Sequence, residues 1–479
     1  MIIVNFKFSF LLTLSLLMPL GKVVMCEENT NTMILIGGGN KLSNSQASIE
    51  KNSKWIKGIF DQKINWSTEI AFTDGGDPKD DLYFHEELTA NNEYLLLDYI
   101  FRGSLKKSFY SSDIEGNSFP ATNNFVESLL LRESNNKALN NLLLIYQGHG
   151  LKGKNNYADN YLKLWNNSKL TVKSLANIFN EYDDSTTVRF LFPQCFSGAF
   201  ANLIYKQATT RSPVVSKKRC GFVSQLPYLI SEGCTPDINT ENYRDYSTYF
   251  FEALTGKQRD GSRLVENPDF NQDAQITLYE AHIYTLRNAY SIDYSKSTSE
   301  VYLENWQTPL VRWLPSKIDK SSIYFDVAKQ LNSLFEEDML KKQNRDKERA
   351  TLIEEIHFNE AELKEQNSIL KDSIKKAREE IIKYDDSVLK KYKKNELGEY
   401  GYPSDVKGIV SKYSIKSLIT KVQALEKNIL QLKRTLVQVN KIENMLNLSR
   451  IQSLFKKYST ESEQGEYNKL LSCESYVLK

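Results

Sequence analysis

Cysteine is scarce in this 479-residue chain: Cys26, Cys195, Cys220, Cys234 and Cys473 are all there is, too few and too scattered for a disulfide framework. One bridge is within reach of an exported chain. Cys220 with Cys234 is then the best-placed pair, and two buried free thiols fit the pattern as well. Charge of one sign is missing too, since 62 Lys+Arg against 60 Asp+Glu leave a formal +2, so no global field draws the chain to nucleic acid or an anionic membrane. The N-terminal apolar run Phe8 to Leu20 falls short of the roughly 20 residues that span a bilayer. Preceded by Lys7 and followed by polar residues from Glu27, it reads as a signal peptide over 1–26, with export to the periplasm or extracellular space. No A-x-A cleavage site marks its end, and an uncleaved tether is the rival. No stable membrane insertion is expected once it is cut. Gly37, Gly38 and Gly39 lack the rest of a phosphate-binding fingerprint and read as a tight turn.

Hydrophobic residues at 41% and charged residues at 25% are those of a globular chain, and the length allows two or three domains. Met33–Ile36 reads as a strand, Ser43–Phe60 as a helix and Glu69–Phe72 as a second strand, the opening of a parallel α/β sheet. Asn141–Tyr146 and Val188–Phe192 are nearly continuous apolar runs, as expected of strands covered on both faces. Between them Val172, Leu175, Ile178 and Phe179 keep helical spacing. Phe222–Ser224 opens a further strand, and Thr248–Leu254 reads as a covering helix. From about Ser321 the texture changes. Ile415, Leu418, Val422, Leu425, Ile429, Leu432, Leu436 and Val439 alternate steps of three and four, with a looser repeat from Ile356 to Ile381. Gly398, Gly401 and Pro403 break the helix between them, which predicts an antiparallel coiled-coil hairpin in a C-terminal helical domain over 321–479, after an α/β domain over 33–320.

Open α/β sheets gather ligands at the carboxyl ends of their strands. There one buried run ends in Gln147-Gly148-His149-Gly150 and the next in Pro193-Gln194-Cys195-Phe196-Ser197-Gly198, with room between for one crossover helix. A thiol made reactive by a nearby imidazole is the chemistry of nucleophilic acyl transfer. The other histidines are poorer bases: His85 lies in an acidic stretch, His282 in a helical one and His357 in the tail repeat. The backbone N–H groups of Gly150 and Cys195 are the natural oxyanion donors.

These motifs resemble the caspase/legumain superfamily of cysteine peptidases, and Cys-x-Ser-Gly leans toward its legumain side. Thr73–Asp81 (TDGGDPKDD) and the stretch YLKLWNNSKLTVKSLANIF look like segments of bacterial caspase-like proteins. The likeness covers roughly Met33 to Leu314 and none of the tail. It implies a caspase-like, mostly parallel sheet flanked by helices, a thiol endopeptidase with His149 and Cys195 as dyad, and Gly150 and Cys195 as oxyanion hole. A caspase-fold scaffold without catalysis, working through its helical arm, is the alternative.

No cofactor is needed for that chemistry. Asp269, Asn271, Asp273, Gln275 and Glu280 nevertheless take the oxygen-ligand positions of a twelve-residue calcium loop, with Ala274 where glycine is usual. A polar helix start is the other reading. For a protein or peptide substrate, Gln194, Glu232 and Asp237 are candidate specificity residues, the two acids for a basic side chain. YKQATTRSPVVSKKRC in the 205–220 loop is a candidate self-processing linker, after Arg211, Lys217, Lys218 or Arg219. The helical hairpin is read as a partner-binding or self-association arm, a cover for the cleft, or a brace.

Overall fold

The structure, a computed structural model, describes residues 30–85, 93–102, 107–233, 244–306, 314, 317–384 and 404–479. The proposed signal peptide 1–26, Cys234, Asp237 and the Gly398–Pro403 break lie outside them.

Seven strands form the central sheet: β1 (Thr30–Gly38), β2 (Ser67–Phe72), β3 (Asn117–Phe119), β4 (Leu139–Gly148), β5 (Thr187–Phe192), β6 (Arg219–Val223) and β7 (Lys296–Ser297). Their spatial order is β7-β6-β5-β4-β1-β2-β3, and every pairing is parallel except that of the short edge strand β7. Alternation along each strand decides which side chains face which layer. Ile34, Ile36, Leu142, Leu144, Tyr146, Phe190 and Phe192 point to one face, where α2 (Asn123–Ser134) and α3 (Val172–Glu181) cover them with Val126, Leu130, Leu175 and Phe179. Met33, Leu35, Leu143, Ile145, Leu191 and Phe222 point to the other. There they meet α1 (Ala47–Lys63), α4 (Tyr246–Thr255) and α5 (Leu278–Asn288) through Ile56, Phe60, Phe250, Phe251 and Ala281. Because Met33–Ile36 of β1 and Leu142–Tyr146 of β4 are buried on both faces, those runs are apolar without a break.

Beyond α6 (Thr298–Trp306) and α7 (Ile323–Asn332) come two long helices, α8 (Lys342–Tyr384) and α9 (Ile415–Tyr458), and a last helix α10 (Glu461–Glu474). Lys433–Glu360, Lys421–Glu362 and Lys412–Glu380 pair rising numbers with falling ones, so α8 and the chain of α9 run antiparallel, the expected hairpin. Its seam holds Leu370, Ile374, Ala377 and Ile381 against Ile415, Ile419 and Val422. Past Leu432 α9 buries a wider face, with Val437, Gln438, Val439, Lys441 and Ile442 all covered, because there it lies on the α/β layers.

The tail is also fastened to the sheet. Cys473 of α10 is disulfide-bonded to Cys220 of β6, with Cα atoms 5.9 Å apart. This corrects the Cys220–Cys234 pairing: α10 docks across the sheet edge and brings a sulfur 253 residues away in sequence into bonding range. Beside it the buried Arg189 guanidinium donates to the Cys473 carbonyl (2.8 Å) and stacks on the Tyr476 ring. Buried Glu474 accepts from Thr298 Oγ1, Ser299 N and Ser299 Oγ at 2.6–2.7 Å.

Candidate active site

Gly37 and Gly38, expected in a tight turn, are instead the last residues of β1, and from Gly39 the chain leads to Asn44 and Gln46, just ahead of α1. Both reach His149, which follows β4: its Nε2 lies 2.9 Å from the Asn44 carbonyl and 2.8 Å from Gln46 Oε1. A backbone carbonyl only accepts, so Nε2 carries the proton and Nδ1 keeps the lone pair. Burial pushes the imidazole pKa down, against the pull of the Asn44 carbonyl and with help from the nearby Lys163 cation, so the ring is neutral at neutral pH.

Gly150 packs directly on the loop after β5. A Cβ there would fall 2.1 Å from the Cys195 carbonyl oxygen and 2.8 Å from Gln194 Cγ, so only glycine lets the two loops touch. The Lys163 N–H donates to the His149 carbonyl (2.8 Å), and the Gly150–Leu162 pair that follows is of the non-hydrogen-bonded kind, which turns the Gly150 N–H away from its neighbouring strand. After Cys195 the chain turns sharply at Phe196 (φ 60°, ψ 17°) into a 3-10 helix, Ser197–Ile204. That left-handed residue is held by its N–H on the Leu229 carbonyl (2.8 Å) and by Asn160 Nδ2 on its own carbonyl (3.3 Å). The Cys195 thiol is free and half-buried. Among the described residues its polar partners belong to Ser231: the N–H at 3.3 Å, the hydroxyl at 3.7 Å and the carbonyl at 3.9 Å.

A narrow recess between these loops is lined by Gln147, Gly148, Pro193, Ser231, Glu232 and Asp245. Glu232 is already engaged: its carboxylate accepts the Ile292 N–H (3.0 Å) and is ion-paired with Arg434 of α9. Gln194 is buried beside Gly150, and neither amide atom has a partner among the described residues. Asp245, the N-cap of α4, is buried, lines the recess and accepts from Thr248 N and Ser247 Oγ, both at 2.8 Å. Sequence reasoning missed Asn44, Gln46, Ser231 and Asp245. The first two stand at a strand's carboxyl end, where a general rule pointed; Asp245 shows its capping role through Thr248 three residues on, and Ser231 carries no local signal.

The 269–280 segment is wired by its own backbone. Asp269 accepts the N–H groups of Asp273 (3.1 Å) and Ala274 (2.9 Å), and Ala274 has φ 64° as the turn demands. Glu280 takes the Phe270 (3.2 Å), Asn271 (3.4 Å) and Thr277 (2.9 Å) N–H groups and so caps α5. Among the described residues no three His, Cys, Asp or Glu side chains gather as a metal site. In the 205–220 loop, Arg211 is exposed, whereas Lys217 donates to the Asn180 and Tyr182 carbonyls, and Arg219 is buried in β6 on the Phe179 carbonyl (2.8 Å).

No family model and no curated protein matches this chain. A solved structure similar to it is protein GSU0716 from Geobacter sulfurreducens, at 10% identity, covering 56% of this chain and 92% of that one, with a TM-score of 0.33. Among the described residues no helix is long and apolar enough to cross a membrane.

Proposed function

We propose that this chain is an exported cysteine endopeptidase of the caspase/legumain type. The observation that carries the reading is the packing of Gly150 on the Cys195 carbonyl, which sets a neutral imidazole and a free thiol on touching loops. In the proposed reaction the S–H bond of Cys195 breaks, its proton passes to His149 Nδ1, and the sulfur bonds to the scissile carbonyl carbon. The oxyanion accepts from the N–H groups of Gly150 and Cys195, worth on the order of 3 kcal/mol each. As the C–N bond breaks, the leaving amine takes the Nδ1 proton. Water, deprotonated by Nδ1, then hydrolyses the thioester; an amine in its place would give transpeptidation.

The imidazole and thiol are not hydrogen-bonded to each other as the chain stands, which alone would favour the non-catalytic scaffold. Such bonds commonly tighten only with substrate bound, so we prefer the peptidase. Glu232 is already ion-paired with Arg434 and Asp245 caps α4, so a basic side chain before the cut would have to displace Arg434 from Glu232. The Cys220–Cys473 bridge fits an oxidising compartment, in line with export. For calcium, Asp269, Asn271, Asp273 and the Gln275 carbonyl would supply the oxygens, and Glu280 would have to give up N–H partners to join them.

Peptide-library cleavage profiling is the test. Cuts after Lys or Arg by the wild type and none by Cys195→Ala are expected; identical profiles for the two, or none for either, would leave the scaffold reading.

A further inference from the structure

The sulfur of Cys195 is the atom that must carry negative charge, and among the described residues its polar partners come from one residue that the dyad does not include. Ser231 presents its N–H at 3.3 Å and its hydroxyl at 3.7 Å. The imidazole is turned elsewhere, with Nε2 on Asn44 and Gln46. A thiolate only accepts hydrogen bonds, so two donors that converge on the sulfur can hold it once its proton has left.

The Ser231 hydroxyl has one proton and two acceptors, since it also lies 3.1 Å from the Pro193 carbonyl. With Cys195 protonated, the S–H points to the Ser231 carbonyl at 3.9 Å and the hydroxyl serves Pro193. Once the sulfur is deprotonated it becomes an acceptor, and a rotation about the Cα–Cβ bond of Ser231 brings the hydroxyl proton to it. The backbone around Ser231 is pinned for this: Gln225 Nε2 holds the Ile230 carbonyl (2.8 Å), and the Glu232 N–H sits on Asp293 Oδ1 (2.8 Å).

We infer that Ser231 is a further catalytic residue, whose N–H and hydroxyl hold the thiolate of Cys195 while His149 handles the proton. The inference rests on Cys195 being the nucleophile. It moves no atoms of its own; the proton still leaves sulfur for Nδ1.

Alkylation of the full chain by iodoacetamide at fixed neutral pH tests it without any peptide. There the S–C bond forms as C–I breaks, iodide leaves and the thiol proton goes to buffer. Ser231→Ala should alkylate about fivefold more slowly than the wild type, and Ser231→Thr, which keeps a hydroxyl, within about twofold of it. Ser231→Gly serves in place of the alanine variant if that fails to fold. His149→Ala should stay within about threefold of the wild type, because the imidazole does not touch the sulfur. An alanine variant as fast as the wild type, a threonine variant as slow as alanine, or a His149→Ala loss larger than that of Ser231→Ala would each overturn the proposal. Normal alkylation ratios in a chain that cleaves no peptide would remove the peptidase reading and leave Ser231 as a thiolate donor; cleavage with an unaffected alanine variant would do the reverse.

Discussion

His149 shows how much of the role proposed for it is set by its surroundings. Its two oxygen partners fix the Nε2–H tautomer, and burial keeps the ring neutral, so Nδ1 holds the free lone pair that the proposed mechanism needs in a base. Since protonation is held below the ordinary value of 6.5, the acid limb of kcat/KM should fall below pH 6.5; a limb above it would contradict the burial argument. His149→Ala should cost about a thousandfold in kcat/KM, and Gln46→Ala, which leaves the Asn44 carbonyl in place, about tenfold with KM little changed. Another buried group acts on stability. Burial raises Glu474 from 4.5 to about 7, so between these values the folded state binds the extra proton, and stability falls as pH rises through that window. Glu474→Gln should flatten the decline of the thermal midpoint across that window; a decline unchanged in the variant would assign it to other groups.

At the scale of elements, the strands were the most legible part. Runs such as NLLLIY and VRFLF are apolar because both faces are covered, and both became central strands, the first longer by two residues at each end and the second by one at its start. The hairpin seam was legible for the same reason, a repeat imposed by packing; the outward swing to Ile419 in place of Leu418 was not, because it depends on where α8 lies. Loops were legible only as positions. Nothing local announces that Ser231 reaches Cys195 or that Arg434 meets Glu232, since each contact spans a length of chain fixed by the fold. Two predictions belong here. Limited trypsin treatment of the native chain should nick after Arg211 before Lys217 or Arg219, which mass mapping reads directly, because those two are tied to α3 and its flank. Calcium at about 1 mM should raise the thermal midpoint of the wild type and not of Asp269→Ala; no rise in the wild type would leave Glu280 as a helix cap alone.

Over the whole molecule, the tail is built into the α/β layers. A third core joins Ile204, Cys220, Ile283 and Leu286 to Tyr324, Ile442, Phe455 and Leu470, and the disulfide ties residues 253 apart in sequence within it. Of the three readings of the helical arm, these contacts favour the brace: truncation after residue 320 should yield an unfolded chain by near-UV circular dichroism, where a simple cover would leave a folded, more active one. Cys473→Ser should cost about 2–5 kcal/mol in denaturant unfolding. The same brace reaches the recess through Arg434 and, by way of Glu232, the loop that carries Ser231. The most direct test of the account is saturable labelling by a peptidyl acyloxymethyl ketone, read by intact and tandem mass spectrometry. One adduct per chain on Cys195, lost in His149→Ala because the bound peptidyl group, unlike iodoacetamide, draws imidazole and sulfur together, is the expected result. Labelling scattered over the other cysteines, or none beyond that of a denatured control, would contradict it.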